Sequence, residues 1–171
     1  NSGSSNGLEI IKSNKDLLYF IKKLIKFKNN FKKNDKFLIE EYISGKELTV
    51  SVIKNGFNYK PLDVTEIVSL NKTYDYQAKY TKGFSKHFIP ARITKQNHKQ
   101  CLDLSLKIHK IFKCNTLSRV DFILSKKENK IYFLEINSQP GMTKMSLLPE
   151  QAKFKKISFE YIVKELINNS K

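Results

Sequence analysis

Residues 117–141 read LSRVDFILSKKENKIYFLEINSQPG, and this stretch decides the fold. It contains two apolar runs, Leu117–Ser125 and Lys130–Asn137, separated by a short turn of Lys, Glu and Asn. Runs rich in Val, Ile, Phe and Tyr predict β-strands, and the short polar turn predicts that they pair as an antiparallel hairpin. Pro140-Gly141 ends the second strand, because proline has no N–H to donate to a neighbour. Helical patterns elsewhere in the chain complete an α+β fold with a mostly antiparallel sheet.

Four polar side chains interrupt these two strands at alternate positions. Since successive side chains point to opposite faces, Arg119 and Asp121 share a face, as do Glu135 and Asn137. Burying such a set without a partner costs several kcal/mol, so we expect a compensating cation. Carboxylate and amide oxygens, without sulfur or imidazole, suit Mg²⁺ or Mn²⁺. The alternative is a hairpin with ordinary surface charges.

Outside the hairpin, apolar spacing predicts three helices, with Ser13 and Thr94 as N-caps of the first two. Alternating patterns predict further strands, and Asn55-Gly56 suits a type I′ hairpin turn. Residues 70–90 lose periodicity, which is typical of a functional lid or binding loop. The predicted helices span about 14–28, 94–113 and 158–167, and the further strands span 37–43, 48–52 and 61–69.

The 171 residues fit one domain, or one domain with part of another. Lys and Arg total 32 against 16 acidic residues, a net charge of +16 that raises the possibility of a nucleic-acid partner. Arginine, the residue favoured for phosphate and base recognition, occurs only at Arg92 and Arg119, so we interpret the charge as a solvated lysine surface. Cys101 and Cys114 make no disulfide or zinc motif, and no apolar run approaches the ~18 residues of a membrane span. We expect a cytoplasmic protein whose chain, opening on Asn1, begins inside a longer one.

Several segments, in order along the whole chain, resemble the D-alanine–D-alanine ligases, which are ATP-grasp carboxylate–amine ligases of peptidoglycan synthesis. The match covers a serine loop, a nucleotide hinge, a mobile loop, a C-terminal metal signature and a substrate-closing segment. In that order the segments are Gly3-Ser4-Ser5-Asn6-Gly7; Ile39-Glu40-Glu41-Tyr42-Ile43 with Gly45 and Glu47; Tyr74-Asp75-Tyr76-Gln77-Ala78-Lys79-Tyr80; Asp121 with Glu135-Ile136-Asn137-Ser138-Gln139-Pro140-Gly141-Met142-Thr143; and Ser146-Leu147-Leu148-Pro149.

The resemblance implies how ATP and metal are bound. The hinge would read the adenine edge with its backbone, Glu47 would accept hydrogen bonds from the ribose hydroxyls, and Lys79 would reach the phosphates. An exposed strand charge and a solvated lysine are the alternatives for these last two residues. The metal ligands, for two Mg²⁺ or Mn²⁺ ions, would be Asp121, Glu135 and Asn137. The hinge residues are Glu40, Glu41, Tyr42 and Ile43.

The resemblance also implies the catalytic residues. Arg119 and the Gly141 N–H would stabilise charge on the transferred phosphate and on the tetrahedral intermediate. Ser146 and the Leu147 backbone would hold the carboxylate of the second D-alanine. A helix N-cap is the alternative role for Ser146, and the two roles are compatible. Tyr80 would bond to Ser4 and hold the mobile loop closed.

The implied reaction is phosphorylation of one D-alanine by ATP, followed by attack of a second D-alanine on the acyl phosphate. The implied domains are the rest of the central ATP-grasp subdomain over 1–39 and the C-terminal ATP-grasp domain over 40–171. We expect a homodimer in the full-length enzyme, with no nucleic-acid or membrane partner, and no activity from this chain alone. A D-alanine–D-lactate ligase, a basic nucleic-acid-binding module and a degenerate pseudoenzyme are the alternatives.

Overall fold

The computed structural model describes residues 9–26, 38–69, 85–143 and 145–169. Helices and strands alternate irregularly along these ranges, and the predicted α+β class is confirmed. The helices are α1 (Asn14–Lys26), α2 (Lys95–Ile111), α3 (Leu147–Phe154) and α4 (Phe159–Asn168). The strands are β1 (Gly45–Asn55), β2 (Asn58–Ser69), β3 (Ser85–Phe88), β4 (Leu117–Ser125) and β5 (Ile131–Asn137).

The strands form one antiparallel sheet in the order β3-β2-β1-β4-β5. The predicted hairpin of β4 and β5 is confirmed and lies at one side of this sheet. The turn between β1 and β2 differs from the prediction. Asn55 pairs with Asn58, so the central residues are Gly56 and Phe57 rather than Asn55 and Gly56. Only Gly56 has a positive φ, of 61°, whereas a type I′ turn requires positive φ at both central residues.

The two faces of the sheet are covered differently. Helix α2 packs on one face, where Val50, Val64, Val120 and Phe122 lie against the buried Cys101. Helices α3 and α4 cover part of the opposite face through a second apolar cluster: Ile53, Leu62, Leu117, Leu148, Ala152 and Ile162. Burying each large apolar side chain stabilises the fold by about 1.5–3 kcal/mol. The remainder of that second face carries polar residues.

Side-chain hydroxyls cap α1 and α2 as predicted. The Asp16 N–H donates to Ser13 Oγ at 3.2 Å, and the Asn97 N–H donates to Thr94 Oγ1 at 3.1 Å. Asp16 in turn accepts from the Lys12 N–H at 3.0 Å, close to a capping box. These bonds satisfy N–H groups that have no partner within the helix.

The predicted strand over 37–43 is wrong for residues 38–43, which have no regular structure. Leu38 and Ile39 are exposed. A strand needs a neighbour for its backbone hydrogen bonds, and this segment pairs with none of the five strands that the structure describes. In the part of the chain that the structure describes, no helix combines the length and apolar character that crossing a bilayer requires.

Candidate functional site

The β4–β5 register brings the four predicted polar residues together on the open part of the sheet. Arg119 lies opposite Asn137, and Asp121 lies opposite Glu135. Directly opposed side chains in an antiparallel pair lie about 4.5–5.5 Å apart at Cβ. The prediction that these four side chains share one face is confirmed.

Arg119 and Asp121 form a bidentate ion pair. Arg119 Nε lies 3.0 Å from Asp121 Oδ1, and Nη2 lies 2.8 Å from Oδ2. The side chains are 15% and 18% exposed, and Arg119 Nη2 also lies 3.9 Å from Glu135 Oε1. Parallel N–H···O bonds between charged groups are stronger than neutral ones and fix orientation. The expected compensation of the carboxylates is therefore supplied in part by the protein's own guanidinium.

Thr49 on β1 is a site residue that sequence reasoning missed. It lies opposite Asp121, and its hydroxyl donates to Asp121 Oδ1 at 2.6 Å. Thr49 is fully buried, so this bond is shielded from water and orients the carboxylate. The sequence could have indicated Thr49 because it lies two residues after Glu47, and residues two apart on a strand share a face.

The oxygens of this face retain capacity for a hard metal ion. Asn137 Oδ1 accepts only the Gln139 N–H, at 2.9 Å, among the bonds described, and Glu135 is 59% exposed. Each such oxygen has two lone pairs, so Asp121 Oδ2 and Asn137 Oδ1 can each accept a further partner. The residue types fit Mg²⁺ or Mn²⁺. No group of three His, Cys, Asp or Glu side chains suited to a metal occurs in the described ranges, so an ion here would combine two carboxylates with an amide.

A β-bulge places an apolar side chain beside these carboxylates. Asp121 lies opposite Glu135 while Phe122 lies opposite Phe133, which leaves Leu134 as the extra residue on β5. Phe133 packs toward the core, with its ring centroid 6.4 Å from that of Phe122. Leu134, the unpaired residue of this bulge, is half exposed and directly precedes Glu135. Sequence reasoning missed Leu134, because the pattern of residue types does not reveal a bulge.

The predicted hinge leads into the same face. Glu40, Glu41 and Tyr42 are exposed and Ile43 is half-buried. Glu47, further along in β1, is half-buried two residues before Thr49. The pKa of Tyr132 on β5 is raised by its hydrogen bond to Glu128, by burial and by the charges of Glu128 and Glu41.

The loop after β5 folds onto the start of α3. A Cβ atom at Gly141 would lie 2.7 Å from Ser146 Oγ, closer than real Cβ atoms approach such an atom. Ser146 occupies the N-cap position of α3, yet its hydroxyl does not cap the helix. Ser146 Oγ instead accepts the Thr143 N–H at 3.1 Å and lies 2.9 Å from Thr143 Oγ1. The alternative role of Ser146 as an N-cap is thus confirmed for its position at the helix start, but the expected capping hydrogen bond is absent.

Three predicted site residues, Ser4, Lys79 and Tyr80, lie outside the described residues. The other predicted site residues are all described. The structure places Arg119, Asp121, Glu135 and Asn137 in one cluster, with Glu47 on the same face. Gly141, Ser146 and Leu147 form the adjoining loop and helix start.

Both arginines of the chain are held in ion pairs with carboxylates. Arg119 bonds to Asp121, and on the opposite face Arg92 bonds to the buried Glu66, with Nε–Oε2 and Nη2–Oε1 distances of 2.9 Å. Nucleic-acid recognition relies strongly on arginine contacts to phosphates and bases. The arrangement therefore does not favour the nucleic-acid-binding alternative.

Comparisons with known proteins identify close relatives. Residues 1–168 match the family model described as D-ala D-ala ligase C-terminus. The D-alanine--D-alanine ligase of Carboxydothermus hydrogenoformans is 39% identical over 165 residues, which cover 96% of this chain and 51% of that protein. The same enzyme of Wolbachia pipientis wMel is 42% identical over 172 aligned positions, covering 99% and 51%. The chain thus spans about half the length of the curated relatives it matches.

Solved structures agree on the fold. The D-alanine--D-alanine ligase of Bacillus anthracis superposes with a TM-score of 0.72 at 26% identity, covering 98% of this chain and 51% of that one. The enzyme of Coxiella burnetii superposes with a TM-score of 0.73 at 22% identity, covering 98% and 42%. The antiparallel sheet and its covering helices are therefore those of the C-terminal part of such ligases.

Proposed function

Since this chain belongs to the family of the D-alanine–D-alanine ligase C-terminus, we propose that it is the ATP- and metal-binding half of an enzyme that joins two D-alanines. The observation that carries the proposal is the cross-strand cluster of Arg119, Asp121, Glu135 and Asn137. This cluster offers oxygen ligands and a guanidinium on one open face, which is the chemistry that phosphoryl transfer requires.

The domain organisation is part of this proposal. Residues 1–39 would complete a central nucleotide-binding subdomain, and residues 40–171 would form the C-terminal ATP-grasp domain. Because the curated relatives are about twice as long, the activity requires an N-terminal half as well. We call this chain together with such an N-terminal half the complete enzyme.

In the complete enzyme, Asp121, Glu135 and Asn137 would hold two Mg²⁺ or Mn²⁺ ions. When bound, the ions neutralise the phosphates of ATP and align them for in-line transfer. Thr49 and Arg119 hold Asp121 from two sides, so this ligand needs little reorganisation when a metal arrives.

The nucleotide would lie along the same face. The backbone of Glu40–Ile43 would read the adenine edge, and the Glu47 carboxylate would accept from the ribose hydroxyls. Exposed Leu134 beside Glu135 would offer the planar base an apolar contact while its phosphates meet the carboxylates. Lys79 would reach the phosphates as a point charge.

The substrates would meet the loop and helix start after β5. A carboxylate oxygen of the first D-alanine attacks the γ-phosphorus of ATP, and ADP leaves with the electrons of the broken P–O bond. The neutral amine of the second D-alanine attacks the acyl carbon, the bond from that carbon to the phosphate oxygen breaks, and phosphate leaves together with the proton that the amine loses. Arg119 and the Gly141 N–H would stabilise the negative charge, and losing one such donor costs about 3–4 kcal/mol. Ser146 and the Leu147 N–H would hold the second carboxylate, and Tyr80 with Ser4 would close the mobile loop.

The proposed partners are D-alanine, ATP and a second copy of the complete enzyme in a homodimer. We propose a cytoplasmic location because the reaction consumes ATP, and the reaction requires neither nucleic acid nor a membrane. The D-alanine–D-lactate alternative differs only in the acceptor, where a hydroxyl would replace the amine.

The test is phosphate release by the complete enzyme with ATP, Mg²⁺ and D-alanine. We expect release that depends on D-alanine, formation of the dipeptide, and a loss of at least about 100-fold in Asn137→Ala, because a metal ligand is removed. Residues 1–171 alone should be inactive. Replacing the acceptor by D-lactate distinguishes the alternative ligase. Phosphate release that is independent of D-alanine, or unchanged in Asn137→Ala, would refute the assignment.

A further inference from the structure

The buried side chain of Gln151 on α3 bonds to β1 opposite a bulge in the neighbouring strand β2. The register of β1 with β2 shifts between Val50 and Val52, so Ser51 has no partner residue on β2. The Ser51 N–H donates instead to Gln151 Oε1 at 2.8 Å, and Gln151 Nε2 donates to the Thr49 carbonyl at 3.1 Å. The side-chain amide of Gln151 thus provides two hydrogen bonds to the β1 backbone at the bulge.

Gln151 is well placed to connect two parts of the candidate site. It lies one helical turn after Leu147 on the same face of α3, since residues four apart on a helix are neighbours. At its other end it bonds to Thr49, whose hydroxyl orients Asp121. We propose that Gln151 is a positioning residue that sets the location of the Ser146–Leu147 segment relative to the carboxylate face. This inference rests on the proposed function.

β1 is an interior strand of the sheet, whereas α3 is attached to the sheet by the packing of Leu148 and Ala152 and by the bonds of Gln151. β1 is hydrogen-bonded to β2 on one side and to β4 on the other. Helix α3 has only eight residues, and its fully buried Gln151 side chain hydrogen-bonds to the β1 backbone. Loss of the amide bonds should therefore shift α3 and the acceptor subsite, and leave the metal and nucleotide face in place.

A purely structural role would have a different signature. A buried glutamine that only satisfies backbone groups would lower stability when replaced, without a selective effect on either substrate. The kinetic constants separate the two roles, because the acceptor D-alanine would contact α3 whereas ATP would contact the sheet and hinge.

The test compares Gln151→Met with two matched controls in the complete enzyme. Methionine keeps the size of the side chain and removes the amide. Ser51→Ala removes a buried hydroxyl that has no hydrogen-bond partner among the described residues, at the same bulge, and keeps the backbone N–H. Thr65→Val removes only the third bond of Gln151, from Nε2 to Thr65 Oγ1 at 2.8 Å. All variants are assayed for phosphate release and for thermal unfolding.

We expect Gln151→Met to raise the KM for the acceptor D-alanine at least tenfold and to change the KM for ATP less than twofold. Both controls should keep both constants within twofold of the parent. If Gln151→Met does not fold, Gln151→Asn gives the same split in KM, because its shorter amide cannot reach both bulge atoms.

Unchanged KM values, or equal increases for both substrates, would overturn the inference while the parent enzyme still made the dipeptide. A parent enzyme without D-alanine-dependent activity would instead refute the proposed function, and this inference with it.

Discussion

Replacing Asp63 by asparagine should destabilise the protein strongly at neutral pH. Asp63 lies on β2, its side chain is 5% exposed, and its two oxygens bond at 2.7 Å to His98 Nε2 and Lys155 Nζ. His98 belongs to α2, and Lys155 directly follows α3, so one carboxylate joins the helices on opposite faces of the sheet. The asparagine side chain would retain a carbonyl oxygen for the Val64 N–H, which now donates to Asp63 Oδ1 at 2.7 Å.

The magnitude follows from the burial of the three groups. Breaking a fully buried ion pair costs about 3–5 kcal/mol. His98 and Lys155 are 26% and 36% exposed, so water would partly solvate them once the charge of Asp63 is gone. We therefore expect a loss of about 2 kcal/mol, which lowers Tm by about 4–8 °C in a domain of this size.

The effect should depend on pH. Burial opposes ionisation of Asp63, but the hydrogen bonds from Lys155, His98 and the Val64 N–H outweigh it and lower its pKa. A lowered folded-state pKa contributes stability above the unfolded value of about 3.9, and this is lost as pH falls through the folded value. The difference in Tm between parent and Asp63→Asn should therefore be full at pH 7 and shrink below about pH 4.

The assay is thermal unfolding of the 171-residue chain, followed by circular dichroism from pH 7 to pH 3. Glu9→Gln is the control, because it breaks an exposed ion pair with Lys23 and should change Tm much less than Asp63→Asn does. A Tm difference below about 1 °C for Asp63→Asn at pH 7, or one that persists undiminished at pH 3, would refute this reasoning.

Three further substitutions test the site and the sheet. Thr49→Val removes the hydroxyl bonded to Asp121 and should raise the Mg²⁺ concentration for half-maximal phosphate release by about tenfold, the lower end of the effect of losing such a supporting contact; an unchanged Mg²⁺ titration would contradict this role. Gly45→Ala would put a Cβ atom 2.2 Å from a carbonyl oxygen of β4, so Tm should fall by at least about 4 °C, and a Tm within about 1 °C of the parent would show that the strand ends move apart freely. Gly141→Ala would place a methyl group 2.7 Å from Ser146 Oγ, and kcat/KM for D-alanine should fall at least tenfold with little change in Tm; the opposite pattern would indicate a structural role.

The alternation of side chains made part of the site predictable. A strand has a period of two, so the shared face of Arg119, Asp121, Glu135 and Asn137 followed from their spacing, and the register confirmed it. The caps of α1 and α2 by Ser13 and Thr94 were equally local and were predicted from residue types.

The features that escaped prediction depend on contacts between distant segments. Thr49 and Gln151 are ordinary residue types whose importance arises only when β1, β4 and α3 come together. Leu134 is left unpaired beside Glu135 by a bulge, which no local pattern indicates. The apolar residues of 38–43 suggested a strand, but residue types alone do not show whether a segment's backbone will pair with a neighbouring strand.

Successive side chains of β4 point to opposite faces of the sheet, and this limits where residues can be inserted or deleted. Val120 and Phe122 face the core while Arg119 and Asp121 face the site, so inserting one residue in the strand would turn charged groups into the core and apolar groups into the site. Insertions and deletions should therefore be confined to the exposed turn from Lys126 to Lys130, where they leave both strands in register. Related sequences should differ in length at this turn while the spacing within the two strands stays constant.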